Sequence, residues 1–285
     1  MKLIRTIKAM KKYCAAAKKR GKAVGFVPTM GYLHEGHASL IKAAAKDCDA
    51  VVVSIFVNPK QFGPSEDLGK YPRDMARDKK ISEASGADVI FFPSVEEMYP
   101  KGNATSVVVE GPLAKGLCAR SRPGHFKGVT TVVAKLFNIV SPDISYFGQK
   151  DAQQAAVIKS MVKDLDMDTR VKVMPIVREK DGLARSSRNA YLSSDERAEA
   201  LNVSRSLKKA RELVKSGEIS SDAIKGEMIA VLGIGDNTKV DYVEIVDAET
   251  LVPVDKVADN TLIAVAAFVG KTRLIDNIVI RKVSS

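Results

Sequence analysis

In the first two-thirds of the chain, apolar residues alternate between two patterns. Short apolar runs read "KAVGFVPT", "AVVVSIFVN", "ADVIFFP", "DISYFGQ" and "RVKVMPIV". All five are read as strands, and the continuous β-branched run "AVVVSIFVN" marks one buried on both faces. Between them lie segments with helical spacing: "HASLIKAAAKDC", a charged helix from about Arg73 to Ser85, "VTTVVAKLFNIV" and "AQQAAVIKSMVKDL". "VTTVVAKLFNIV" is read as a buried helix despite its β-branched residues, because its twelve residues are long for a strand. A loop rich in turn residues, "PKQFGPSEDLGKYP", follows the second run. Near the start, Thr6 has the character of an N-cap. Ile7, Met10, Cys14 and Ala17 follow at helical spacing and Gly21 supplies the stop, which predicts a surface helix. Strands alternating with helices imply right-handed crossovers and an α/β fold with a doubly wound parallel sheet.

After about residue 176 the rhythm changes. Two helices, "DERAEALNVSRSLKKARELVKSG" and "SDAIKGEMIAVL", precede the strand-like runs "KVDYVEIVD" and "NTLIAVAAFVG". The expectation is a larger domain over 1–176 and a smaller α+β domain over 177–285. No internal repeat and no low-complexity segment interrupts this plan.

Composition adds one asymmetry. The formal charge is +11, and residues 1–176 hold 28 basic against 17 acidic side chains while residues 177–285 hold 17 of each. A basic half suits an anionic ligand such as a nucleotide, a carboxylate or a nucleic acid, and equally suits simple solubility. Cys14, Cys48 and Cys118 are odd in number and scattered, with no CxxC pair. This indicates neither a disulfide framework nor a zinc cluster and fits a reducing cytoplasm. No apolar run approaches the roughly 20 residues of a membrane span. The Lys-rich start has no uninterrupted apolar core and no serine before Ser39, so it is not read as a targeting peptide.

Candidate chemistry concentrates in three places. "PTMGYLHEGHASL" lies where the first predicted strand passes into its helix, the phosphate-side edge of such a sheet. A helix N-terminus offers free N–H groups and partial positive charge to an anion. Gly36 would let backbone approach a ligand, and His34 and His37 add ring donors. An HxxH pair also occurs as a structural or surface feature. As a zinc site it lacks a third ligand nearby. "FGQKD" (147–151) places Lys150 and Asp151 at the same sheet edge, where a solvated loop lysine is the plain alternative. "RSSRN" (185–189) offers two hydroxyls and a guanidinium on a loop that would otherwise be ordinary polar surface. Together the three suggest a clamp on a triphosphate.

The ordered segments "PTMGYLHEGH", "NPKQF", "RPGHFKGVTTVVAKL", "FGQKDAQQ" and "DGLARSSRN" span essentially the whole chain. In these segments it resembles the pantoate–β-alanine ligase (pantothenate synthetase) family, whereas HxGH alone would indicate only a wider nucleotidyltransferase superfamily. The resemblance implies a Rossmann-like sheet domain binding ATP and pantoate, with residues 177–285 forming a lid. It implies ATP-dependent condensation of pantoate with β-alanine through a pantoyl adenylate, releasing AMP and pyrophosphate. Mg²⁺ would travel with ATP. Partners would be these small molecules, with no nucleic acid and no membrane, and the assembly a homodimer.

The same resemblance implies residue roles. Thr29, Met30, Gly31, Tyr32, Leu33, His34, Glu35, Gly36 and His37 form an ATP-binding signature, with His34 and His37 at the phosphates and His37 the proton donor. Gln61 and Gln154 contact pantoate. Asn58, Tyr71, Arg122 and His125 line the substrate pocket. Gly148, Gln149, Lys150 and Asp151 form an ATP segment in which Lys150 meets phosphate and Asp151 the ribose. Val177 contacts adenine through its backbone. Arg185, Ser186, Ser187 and Arg188 belong to a loop that closes on the triphosphate. Arg185 departs from the Met or Leu usual at its position.

Two rival functions remain distinguishable. A tRNA-charging enzyme of the same superfamily would need a tRNA-binding domain, for which the electrically neutral residues 177–285 are poorly suited. A basic nucleic-acid-binding module would show aromatic-interleaved basic strands, and none is present.

Overall fold

The computed structural model describes residues 1–64, 66 and 68–281, and Ser65 and Asp67 of the expected loop lie outside the described residues. In chain order the elements are β1 (Lys2–Ile4), α1 (Ile7–Lys19), β2 (Val24–Thr29), α2 (Glu35–Asp47), β3 (Ala50–Ile55), α3 (Met75–Ala84), β4 (Val89–Phe91) and the short α4 (Val95–Met98). The short α5 (Cys118–Ser121), α6 (His125–Val140), β5 (Ile144–Gly148), α7 (Ala152–Asp164) and β6 (Arg170–Met174) follow. The chain closes with α8 (Ser194–Lys215), α9 (Ser221–Leu232), β7 (Thr238–Asp247), β8 (Thr261–Val269) and β9 (Thr272–Ile280).

Two compact units result: Met1–Val109, Arg122–Gly148 and Val157–Pro175 make the first, and Glu110–Ser121, Gln149–Ala156 and Ile176–Ser285 the second. In the first, six parallel strands lie in the order β1-β4-β3-β2-β5-β6. Successive side chains on a strand point to opposite faces, so a continuous apolar run supplies both. On β3, Ala50 and Val52 enter the layer with α1 and α6, while Val51, Val53 and Ile55 enter the layer with α2. The doubly wound α/β expectation is met. Thr6 caps α1, accepting the Ala9 N–H, and Met10, Cys14 and Ala17 form its buried stripe.

In the second unit β7, β8 and β9 form an antiparallel sheet. Val203, Leu207, Ile224 and Met228 of α8 and α9 pack with Ile245, Ile263 and Val265 of that sheet.

Two strands are absent from the expectation drawn from the pattern. At three residues, β1 is too short to carry a period, and its pairing with β4 makes it a strand. For β9 the cause is polarity: Asp276 and Asn277 interrupt its apolar run, yet both are 2% exposed and paired. The expected loops also contain 3₁₀ turns at Pro59–Gln61, Gln149–Asp151 and Ser187–Tyr191.

Candidate active site

At the carboxyl end of β2 the chain turns through Gly31 (φ 89°) and Tyr32 (φ 51°), both left-handed, before His34 caps α2. A left-handed non-glycine residue costs of order 1–3 kcal/mol and needs outside support. Here Asp78 of α3 supplies it. Its carboxylate accepts the N–H of Tyr32 (2.9 Å) and of Leu33 (2.6 Å). Burial pushes the Asp78 carboxyl above its ordinary range, although the two N–H donors act the other way. No sequence motif pointed to Asp78, which acts from 45 residues downstream.

Both histidines help close the turn. His34 Nδ1 accepts the Gly36 N–H (3.1 Å), and His37 Nδ1 accepts the His34 N–H (3.3 Å). A neutral ring whose Nδ1 accepts must carry its proton on Nε2. The capping bonds therefore fix both tautomers as Nε2–H, with ring centroids 4.1 Å apart at the start of a helix. Donors arranged in this way can stabilise negative charge brought to the helix start. Gly36 also serves the His34 ring. A Cβ there would meet His34 Cε1 at 2.9 Å, so the missing side chain makes room for the ring.

In the same unit Gln61 is held from several directions. Its Nε2 lies 3.1 Å from Met30 Sδ, and its Oε1 accepts from Asn58 Nδ2 (3.0 Å). Asn58 is 1% exposed, with Nδ2 also donating to Gly128 O and Oδ1 accepting from Lys60 N–H and Tyr99 O–H. Its hydrogen-bonding capacity is directed within the protein, so it orients Gln61. His125 Nδ1–H donates to Gln61 O (2.8 Å) while its Nε2 accepts from Arg122 (2.9 Å). Arg122 in turn makes a bidentate pair with Glu66. Tyr71 is buried and packs edge-on to Phe62. A Cβ on Gly128 would meet Lys60 O at 2.2 Å, so this glycine lets α6 press against the Gln61 turn.

In the second unit Lys150 rides on the turn Gln149–Asp151, half-buried, with Asp151 exposed. Of the glutamine pair, Gln153 is the buried one, bridging Cys118 N, Leu113 O and Gly116 O, while Gln154 is half-buried. Residues 177–185 form a hairpin in which Arg185 N–H donates to Val177 O (2.9 Å) and Arg178 bridges Ala184. Ser186 caps the next turn by accepting the Arg188 N–H, and Ser187 and Arg188 stand at its start. The Arg185 guanidinium pairs with Glu179 at 3.0 Å, as Arg197 does at 2.6 Å. Burial would raise the Glu179 pKa, but hydrogen bonds from Asn189, Arg185 and Arg197 outweigh that and hold it low.

A doubly wound α/β protein with a histidine-lined helix N-terminus at a strand's carboxyl end is thus defined, the class that handles anions at the sheet edge. Residues 2–279 match the family model described as pantoate-beta-alanine ligase. The chain is 58% identical over 280 residues to the pantothenate synthetase of Thermotoga petrophila, covering 98% of this chain and 100% of that one. It superposes on the crystal structure of pantothenate synthetase from Thermus thermophilus with TM-score 0.93 at 44% identity, covering 98% and 99% of the two chains. A pantoate-beta-alanine ligase from Francisella tularensis, complexed with beta-gamma ATP and beta-alanine, gives TM-score 0.79 at 35% identity over 98% and 97%. The chain belongs to the pantoate–β-alanine ligase family and is an enzyme.

Proposed function

We propose that the enzyme condenses pantoate with β-alanine at the expense of ATP, through a pantoyl adenylate. The pantoate carboxylate attacks the α-phosphorus, forming a mixed anhydride and releasing pyrophosphate. The β-alanine amine then attacks the acyl carbon, and AMP leaves. The first step brings an anion to an anion, so it rests on positioning and on donors that meet growing charge. The observation that carries this reading is the pair of histidine rings at the start of α2, each taking a backbone N–H at Nδ1 and so leaving Nε2 as the donor. In this reading Thr29 to His37 bind ATP, with His37 the proton donor. Gly148, Gln149, Lys150, Asp151, Val177, Arg185, Ser186, Ser187 and Arg188 serve the nucleotide, Lys150 and Arg188 at the phosphates. Gln61, Gln154, Tyr71, Arg122 and His125 serve pantoate, Asn58 through Gln61. Support for ATP and β-alanine as ligands comes from the Francisella tularensis relative complexed with beta-gamma ATP and beta-alanine.

Among the described residues no group of three or more His, Cys, Asp or Glu is gathered for a metal ion. Mg²⁺ is taken as part of the substrate, arriving on the ATP phosphates as is usual for this ion. We further propose that residues 177–285 act as a lid, that the enzyme is a cytoplasmic homodimer and that nucleic acid is not a partner. No helix among the described residues is long and apolar enough to cross a membrane.

The test is exchange of labelled pyrophosphate into ATP. Exchange should require pantoate and Mg²⁺ and proceed without β-alanine, because only the first step needs to reverse. Little AMP should accumulate until amine is added, since the anhydride is shielded from water. A folded, ATP-binding chain with no pantoate-dependent exchange would falsify the adenylate reading. Effective replacement of pantoate by an α-amino acid would favour a tRNA-charging enzyme.

A further inference from the structure

We propose that Asp276 and Asn277 of β9 are positioning residues that aim Lys150 and the 185–189 segment together. The proposal rests on the reading of Lys150, Ser187 and Arg188 as phosphate donors.

Asn277 is 2% exposed. Its Nδ2 donates to Gln149 O (2.9 Å) and to Lys150 O (3.0 Å), while its Oδ1 accepts from Gln149 Nε2 (3.2 Å). One amide thus grips the backbone on which Lys150 sits. A three-residue turn has little ladder of its own to fix its direction. Next along the strand, Asp276 receives both ends of the Arg178 guanidinium, Oδ2 from Nη1 (2.6 Å) and Oδ1 from Nη2 (3.0 Å). Arg178 Nη1 also donates to Gly182 O (3.1 Å), closing the hairpin that leads into Ser186–Arg188. The two grips are joined, because the Asn277 N–H donates to Asp276 Oδ1 (2.8 Å). Buried, bidentate and charge-assisted bonds hold geometry more tightly than surface contacts do.

A brace of this kind has a catalytic consequence. Donors that meet charge on the same phosphates must keep a fixed separation, and a misplacement of about 1 Å can cost about 100-fold. Neighbouring residues on one edge strand set that separation from behind. Neither needs to touch substrate.

The test is pantoate-dependent pyrophosphate exchange by the whole chain carrying Asn277→Asp or Asn277→Ser, each also made in a Lys150→Ala background, or Asp276→Asn, also made in an Arg188→Ala background. Asn277→Asp keeps shape and the acceptor for Gln149 while removing both donors to the carbonyls. Exchange kcat should fall about 10- to 100-fold. The pantoate KM should stay within about threefold, because no pantoate ligand is displaced. In the Lys150→Ala background the same change should alter the residual rate by less than about threefold, since the group being aimed is gone. Equal losses in both backgrounds would indicate a merely structural role and overturn the proposal. Undiminished exchange in Asn277→Asp beside an active wild type would do the same. If Asn277→Asp does not melt cooperatively, Asn277→Ser, smaller and uncharged, carries the comparison. A wild type without pantoate-dependent exchange would overturn the adenylate reading and this proposal with it, a result distinguished by silence across the whole series.

Discussion

His37 combines two duties in one ring. Its Nδ1 accepts the His34 N–H, and the proton this leaves on Nε2 is the one proposed to meet phosphate charge. His37→Ala should therefore lose about 10²–10³-fold in kcat, the usual scale for one such donor. The lost capping bond should lower stability by only about 1 kcal/mol. Steady-state rates beside a denaturant melt check both, and near-wild-type turnover in the folded variant would remove the role. Arg185 offers the opposite case. Its guanidinium meets Glu179, which Arg197 and Asn189 also hold, while its backbone N–H holds Val177. Arg185→Met should change ATP affinity by no more than about tenfold, about 1.4 kcal/mol, and leave the pantoate KM alone. Titration calorimetry with ATP would reveal a larger effect if the side chain touches nucleotide.

At the scale of elements, the approach of α6 to the Pro59–Gln61 turn depends on Gly128. A Cβ would lie 2.2 Å from Lys60 O and 2.6 Å from Gln61 Cα, both backbone atoms that cannot swing aside. Gly128→Ala should cost about 1–3 kcal/mol from overpacking. It should also raise the pantoate KM, because the turn that must yield carries Gln61. A melt unchanged from wild type would contradict the close approach. The brace across the same turn has a defined pH response. Burial alone would raise the Glu66 pKa, but hydrogen bonding and charge from Arg122, with lesser help from Gly63 N–H and His125, hold it below its ordinary 4.5. A carboxylate depressed in the folded state adds stability above its unfolded pKa and loses it as pH falls through the folded value. The gap in melting temperature between wild type and Glu66→Gln should be present at about pH 7 and shrink by about pH 3. A gap constant across that range would mean that folding does not depress the Glu66 carboxyl.

Considered whole, the molecule carries a formal charge of +11. Under the proposed function, small anionic substrates would account for the positive charge without a polyanion partner, whose binding would need many phosphate contacts at once. Filter binding with RNA at about 150 mM salt should show no retention, and salt-sensitive retention would reopen a nucleic-acid role.

The local grammar of the chain was sufficient for the α/β class, because β-branched runs such as "AVVVSI" and helical stripes such as Met10, Cys14 and Ala17 express burial within a few residues. It also marked the "HEGH" turn and the "FGQKD" and "RSSRN" segments, where glycine, histidine and basic residues sit at strand and hairpin ends. What it could not express was who holds these turns. Asp78 reaches Tyr32 and Leu33 across 45 or more residues, and Asn277 reaches Gln149 across 128. The β9 strand was hidden by the same two polar residues that make it useful, since a buried Asp and Asn look like a loop until their partners are in place. Periodicity records which face a residue shows to the core. The pairing of a buried polar atom depends on chain segments that only folding brings within hydrogen-bond distance.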